Sequence, residues 1–510
     1  MDEVSKNKIL TFKELKEKVQ ALQKSGKKVV QSHGIFDLIH PGIINHLNSA
    51  RAEGDILIVT VIKDEDVRKM PGRPVFPGKM RLENVASLIP VDYVALVDDT
   101  PPFECIRQLK PDVFAKGRAY LERDEKIHGN AIGEEVTQLP PETRVFETIG
   151  FSFSSSQIIN SLLDMYPDDT KAYLKDFSSR YSFSEIVKYI DDLRKMKVLI
   201  IGDGIIDEYH YCQTMGKSAK AHLVVNQYLF HEVFAGGAFA IANHTAGICE
   251  QVELVTLLGR NDSRESFVRD NLKKNVKAKF YFREDGPTIV KKRYINHYLN
   301  NKLFEINYLD DTFIDSELEE QIIEDLITIL PDFDLVLVSD FGHGLITKKM
   351  MEIIEKHSTN MAVNTQTNGA NTGYNLITKY GQPHFICLDE PEARLATQIR
   401  FGHIEEVLQR LSERLNTDSL IVTQGKHGSI AINKSGEIVK TPVFSSKVVD
   451  TIGAGDAFFA FTAPCYANKL PLDFTTFVGN AAASIAIQIM GNKRPVEKSE
   501  LLEFMHTILK

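Results

Sequence analysis

Long apolar runs, paired cysteines and an excess of positive charge are all missing from this 510-residue chain. Nowhere do 18 apolar residues run without a charge, so no membrane-spanning helix is expected. The opening MDEVSKNKILTFKELKEKVQALQKSGKK is charged and amphipathic and has no apolar stretch of the secretory kind. The five cysteines (Cys105, Cys212, Cys249, Cys387, Cys465) lie far apart, form no CxxC pair and are odd in number, as a reducing compartment tolerates. A net charge of -9 offers no basic field to a polyphosphate backbone, which argues against nucleic acid as main partner and leaves small anionic metabolites open. The expectation is a soluble, cytoplasmic protein with neither nucleic-acid nor membrane partners.

What is present is ample core-forming material, enough for roughly two to four domains. The first part alternates β-rich runs with helical patterns: KKVVQSHGIF, HLNSARAEG, DILIVTVI, MRLENVASLI, DYVALVDD, ECIRQLK, PDVFAKG. Alternation at this pitch predicts a parallel sheet with helices on its faces and chemistry at the carboxyl ends of the strands. Around Met165 to Tyr189 the chain turns polar and helical, with no strand. From Lys197 a second α/β series begins, with buried-strand candidates VLIIG, VELVTLLG, DLVLVSD, MAVNT, HFICLD and SLIVTQG. The run FYFREDGPTIVKKRYINHYLNNKLFEIN reads instead as several adjacent strands, a small sheet on the edge of a larger domain.

In VVDTIGAGDAFFAFTAPCYA, residues 448–467, a turn of Gly453, Ala454 and Gly455 opens an apolar helix. Backbone N–H groups of such a first turn hold an anionic phosphoryl group. Asp456, at the end of the turn, is placed to take a proton from an attacking hydroxyl, and phosphoryl transfer needs both. By itself the turn would serve equally as a helix cap with Asp456 as a dipole partner.

The surrounding DTIGAGDAFFA resembles the carboxyl-terminal signature of the ribokinase or PfkB carbohydrate kinases nearly residue for residue, and the resemblance extends over residues 197–510. It implies a ribokinase-like α/β domain with a small β-sheet lid, using ATP and Mg2+. KVLIIGDGIIDEYHY is similar to the family's opening strand, in which Asp203 and Asp207 would face sugar hydroxyls. FAGGAFAIANHTAGI matches the diglycine segment, Gly236 and Gly237, that approaches the substrate. TIVKKRYI is similar to a lid strand of heptose kinases, implying that Lys291 and Arg293 meet a sugar phosphate; as residues alone they are equally solvated strand charges. LDEPEA stands at the family's Asn-x-x-Glu position, with Asp389 for the asparagine and Glu392 to order magnesium and its waters. IVTQGKHGS, with Thr423, Gly425 and Gly428, looks like the nucleotide-binding strand and turn, and Asn480 falls where the family lines the adenine pocket. Two departures bear on which sugar is bound. Ala240 stands where many members carry an asparagine, with Asn243 and His244 further along the helix, and NTQTNGANTGYN (364–375) stands where related heptose kinases often carry an aspartate and a lysine.

In QSHGIFDLIHPGIINHLNSARAEGD, residues 31–55, a strand and a tight turn lead to a helix starting near Pro41. His40, just before it, could bind a nucleotide phosphate with the helix dipole or simply cap the helix. The segment resembles the G-x-F-D-x-x-H-x-G-H mark of cytidylyltransferase-like nucleotidyltransferases over residues 28–162, with Gly34, Phe36, Asp37, His40 and Gly42 in agreement. LKPDVFAKGRAY carries the Lys-Gly pair of heptose-phosphate adenylyltransferases at Lys116 and Gly117. GFSFSSSQII is similar to their closing helix start, which implies that Ser155 and Ser156 hold phosphates. The second motif histidine, however, is Ile43. Isoleucine neither donates a hydrogen bond nor carries charge, a loss on the order of 2.7–4 kcal/mol, or about a hundredfold to a thousandfold in rate. His33 and His46 are the nearby imidazoles that could stand in.

Together the resemblances are similar to the bifunctional enzymes that make ADP-heptose, with the two parts in reversed order. In those enzymes one domain phosphorylates heptose 7-phosphate at C1 and the other transfers AMP to the sugar 1-phosphate. The expectation is a Rossmann-like nucleotidyltransferase domain at 1–165 (ATP or CTP), a helical linker at 166–196 and a kinase domain at 197–510. A sugar phosphate and a nucleotide would be its small-molecule partners, and a homodimer would form through the kinase lid. Two other readings stay open: a kinase with a degenerate regulatory first domain, and a non-catalytic sugar or nucleotide sensor.

Overall fold

The computed structural model describes residues 3–67, 74–98, 104–117, 139–148, 166–369, 371–445 and 448–510. The chain divides into two compact units, Met1–Val187 with Leu502–Lys510, and Lys188–Leu501.

The first unit is built on a five-stranded sheet of order β3-β2-β1-β4-β5: β1 Val29–Gly34, β2 Ile56–Ile62, β3 Tyr93–Val97, β4 Val113–Gly117 and β5 Arg144–Thr148. Every pairing is parallel. Period-two alternation sends Val30, Leu57, Val59 and Val61 to one face, against Leu47, Ala50, Leu82 and Val85 of helices Pro41–Arg51 and Gly78–Ala86. Val29 and Ile58 go to the other face, against Leu15 and Val19 of helix Phe12–Lys24. A Thr11–Glu14 capping box starts that helix. The chain order reverses between β1 and β4, which makes their carboxyl ends the crevice where α/β sheets bind ligands. β5 was not foreseen, because RVFET is too short and polar to read as a buried strand.

The second unit carries two sheets. Nine strands run β10-β9-β6-β13-β14-β15-β16-β17-β18: β6 Lys197–Gly202, β9 Gln251–Asn261, β10 Val276–Pro287, β13 Leu335–Asp340, β14 Met361–Thr365, β15 Phe385–Asp389, β16 Ser419–Thr423, β17 Ser429–Asn433 and β18 Ile438–Thr441. The first seven are parallel to one another, and the last two pairings, β16 with β17 and β17 with β18, are antiparallel. One large core joins Leu199, Val336, Ile386 and Leu420 of this sheet to Leu326, Met350, Leu408 and Leu411 of the flanking helices.

The small sheet exists, but it is composed differently from the expectation. Its order is β12-β11-β7-β8, with β7 Gly204–Lys217, β8 Val224–Gly237, β11 Val290–Asn296 and β12 Lys302–Tyr308. Half of it therefore comes from the hairpin directly after β6, whose first strand begins inside the segment read as one opening strand, while FYFRE lies in β10 of the large sheet. The unbroken β-forming run from Lys197 to Lys217 hides the change of sheet, which falls at Asp203 between two glycines. Gly202 packs against Ser339 and Gly204 against the Phe239 ring, each so closely that a β-carbon would collide.

Candidate active sites

In a parallel sheet all carboxyl ends lie on one edge, so the ends of β6, β13, β14, β15 and β16 bring Asp203, the 341–344 loop, Gln366, Asp389 and Thr423 to the same side. Asp203 is buried, and its Oδ2 accepts the backbone N–H groups of Phe341 (3.0 Å) and His343 (3.2 Å). Burial pushes its pKa up.

On the small sheet, Lys291 of β11 stands in register with Asp207 of β7, and Arg293 with Tyr209. Residues two apart share a face of a strand, so Asp207, Tyr209, Lys291 and Arg293 form one polar surface. Arg293 pairs with Asp207 and, at 2.7 Å, with Glu305. Lys291 is 7% exposed, and its ammonium lies 5.7 Å from the centre of the Phe341 ring. Burial pulls its pKa down, with the Asp207 charge opposing. Gly236 allows Asp207 to sit directly on the backbone, where any β-carbon would meet the carboxylate, and Gly237 (φ +56°) starts helix Ala238–Thr245.

The Gly453–Gly455 turn opens a helix. Gly453 adopts φ +83° as N-cap of helix Ala454–Ala467, which places Asp456 in the first turn. A β-carbon at Gly455 would meet no atom within 4 Å, and the N–H of Ala454 donates to the Thr451 carbonyl at 3.4 Å. Asp456 is buried, and its Oδ1 accepts a hydrogen bond from Gln366 Nε2 at 2.8 Å. Burial pushes its pKa up to about 6, helped by the Asp207 charge and opposed by the Gln366 bond and Lys291. Asp456 thus lies within electrostatic reach of both Asp207 and Lys291.

The remaining candidates are placed with varied roles. Asp389 and Glu392 form the capping box of helix Glu390–Thr397, and Glu392 also accepts the N–H of Thr367 (2.9 Å). Burial, together with the Asp389 charge, pushes Glu392 up to about 8. Thr423 closes β16, and Gly425 (φ +53°) and Gly428 (φ +86°) shape the turn to β17. Asn480 donates from Nδ2 to Ser429 Oγ (2.7 Å) and Thr476 O (2.8 Å), so it braces that turn. Asn243 binds Asn271 O and Lys273 N, and His244 accepts from Val496 N, so both serve the fold. Gln366 and Asp450 were given no role from the sequence. Asp450 is the first residue of the DTIGAGD motif, which was the available signal.

In the first unit, Gly34 ends β1, Phe36 takes φ +52°, and Asp37 accepts the N–H groups of Val75 and Phe76 (3.0 Å each). His40 is the N-cap of helix Pro41–Arg51, its Nδ1 accepting from Gly42 N at 3.2 Å, and burial lowers its pKa. Lys116 and Gly117 end β4 beside β1. Ile43 packs against the core. His46 is held between Ser32 Oγ (2.8 Å) and Thr148 Oγ1 (2.6 Å), and burial lowers its pKa to about 4. His33 bonds Thr60 Oγ1 at 2.9 Å. Ser155 and Ser156 lie outside the described residues. Arg81, unforeseen, is fully buried and donates to the carbonyls of Phe76, Ile35 and Ile62 and to Asp64.

Asp456 in the first turn of helix Ala454–Ala467 and the Lys291, Arg293 and Asp207 side chains of the small sheet are thus candidates for one site, in which Asp456 feels the charges of Asp207 and Lys291. Residues 195–499 match the pfkB family carbohydrate kinases, and since this is more than half of the chain, the protein belongs to that family. Residues 32–161 match the Cytidylyltransferase-like family. The Bifunctional protein HldE of Trichlorobacter lovleyi is 24% identical over 299 residues, 58% of this chain and 60% of that protein. The same-named protein of Helicobacter pylori strain G27 is 38% identical over 157 residues, 30% of this chain and 31% of that protein. The matches therefore span less than two thirds of these relatives' length. In fold, the chain resembles Escherichia coli phosphofructokinase-2 solved with potassium (TM-score 0.51, 12% identity, 62% of this chain and 100% of that one).

Proposed function

We propose that the protein is a bifunctional enzyme of nucleotide-activated sugar synthesis. Its 197–510 part phosphorylates a sugar phosphate of the heptose 7-phosphate type from ATP, and its 1–165 part transfers a nucleotidyl group to the resulting sugar 1-phosphate. The observation that carries the kinase half is Asp456, buried in the first turn of helix Ala454–Ala467, hydrogen-bonded to Gln366 and influenced by the charges of Asp207 and Lys291. In the forward step Asp456 takes the proton of the attacking hydroxyl, whose sugar Asp207 orients. Lys291 and Arg293 hold the substrate's own phosphate, and the first-turn amides of helix Ala454–Ala467 receive the transferred phosphoryl group.

Magnesium fits the residues present. Glu392 carries a buried carboxylate whose pKa is pushed up by burial and by Asp389, the condition a divalent cation relieves. No cluster of three or more metal ligands occurs among the described residues. Magnesium supplies charge neutralisation of the ATP phosphates when bound.

The outer strands of the small sheet expose Val224, Val225, Tyr228, Phe230, Phe304, Ile306 and Tyr308, which supports a homodimer through that sheet. No helix among the described residues is long and apolar enough to cross a membrane.

A second reading has specific support: with Ile43 in place of histidine and burial lowering the pKa of His46, the first part binds nucleotide without turning it over. The deciding measurement is ADP release with Mg-ATP and heptose 7-phosphate, in wild type and Asp456→Ala, followed by pyrophosphate release from sugar 1-phosphate with ATP and with CTP. No turnover with any sugar despite ATP binding would instead support a sensor.

A further inference from the structure

The Asp450 carboxylate joins the small sheet to the catalytic turn. Its Oδ1 accepts from Lys302 Nζ at 2.6 Å and from the backbone N–H of Ile452 at 3.2 Å. Its Oδ2 accepts from the Tyr209 hydroxyl at 2.7 Å and from Gly491 N at 3.0 Å. Lys302 opens β12 and Tyr209 lies in β7, whereas Ile452 immediately precedes Gly453, the N-cap of the helix that carries Asp456. The Asp450 side chain is 2% exposed. Burial works to raise its pKa, but the bonds from Lys302 and Tyr209 outweigh it and hold the carboxyl ionised.

Apolar packing follows the same route. Tyr209, Tyr211, Phe234 and Ile295 of the small sheet form one cluster with Ile452 and Met490. The Tyr209 ring also lies 5.9 Å from the guanidinium of Arg293 and 5.9 Å from Lys302 Nζ, so it stands between the substrate-facing cation and the latch.

We infer that the Lys302–Asp450 pair, with the Tyr209 hydroxyl, is a latch through which the small sheet positions the catalytic turn. With the sheet seated, the Asp450 oxygens hold the 450–453 backbone, and the first-turn amides and Asp456 take their working geometry. Without the lysine, a buried carboxylate loses its cation and the turn loosens. Lys302, Tyr209 and Asp450 are positioning residues, and the inference rests on the kinase reading of Asp456.

The test uses the full chain. Hydrogen exchange of the amides of residues 451–457 is compared in wild type, Lys302→Met, Lys302→Arg and Tyr209→Phe, with helix Ile404–Leu415 as internal reference. Lys302→Met should speed exchange in the turn at least tenfold and leave the reference helix unchanged. Its kcat on heptose 7-phosphate should fall at least tenfold, with KM for ATP within threefold. Lys302→Arg should restore most of both, and Tyr209→Phe, which keeps the ring, should shift both in the same direction by less. Unchanged exchange in the turn, or exchange raised equally everywhere, overturns the latch. Wild type inert on every sugar phosphate would sink the kinase reading, and the exchange data would still decide the coupling.

Discussion

Replacing Asp456 by asparagine should abolish phosphoryl transfer and at the same time make the protein more stable. The side chain is 7% exposed, and burial raises its pKa from 3.8 to about 6. A folded-state pKa above the unfolded value means that the ionised carboxylate disfavours the fold. The cost is absent below about pH 4, grows as pH rises from there through about 6, and is constant above. A shift of about two units corresponds to roughly 3 kcal/mol. Asparagine keeps an oxygen to accept the Gln366 bond and carries no charge. Removal of a general base costs about a hundredfold to ten-thousandfold in rate. The expected result is kcat/KM down by at least a hundredfold, with higher stability in urea at pH 8 and no difference at pH 4, while wild-type kcat/KM rises with pH through about 6 and then levels. Activity within tenfold of wild type, or equal stability at pH 8, would refute the reasoning.

Lys291→Met should raise KM for the sugar phosphate at least tenfold, leave KM for ATP unchanged and not lower stability, because burial already disfavours the ammonium; initial-rate kinetics and urea melts check this. Gly453→Ala should destroy kinase turnover, since φ +83° and contact with Asn492 leave no room for a side chain; ADP release and a thermal melt report it. Ile43→His should increase pyrophosphate release by about a hundredfold to a thousandfold if the first unit lacks only that donor. Arg81→Leu should destabilise the first unit through three unpaired carbonyls, at about 1–3 kcal/mol each, measured by denaturant unfolding.

Much of the molecule was readable because it depends on near neighbours. Each buried-strand candidate of the second series became a strand, since continuous runs such as VLIIG and LVLVSD fit a sheet covered on both faces. The turn at Gly453–Asp456 was equally legible, because a glycine at positive φ followed by a helix is a local arrangement. The hairpin of β7 and β8 was not, because its residues are as β-forming as those of β6 and only packing at Gly202 and Gly204 separates the sheets. Asn480 shows another side of this: its motif position gave no hint that both Nδ2 hydrogens go to Ser429 Oγ and the Thr476 carbonyl.

The sequence alone determined the two α/β series, the glycine turn at Gly453–Asp456, the motif around His40 and the substitution at Ile43, all carried by residues a few positions apart. Tertiary structure decided which charges meet. Tyr209 and Asp450 are 241 positions apart and Gln366 and Asp456 are 90 apart, yet each pair shares a hydrogen bond. The order of strands in the sheets sets those encounters, and with them the burial that moves Asp456 and Lys291 away from their ordinary pKa values. Periodicity and spacing report which face a residue occupies, whereas desolvation and charge pairing depend on what the rest of the chain brings to that face.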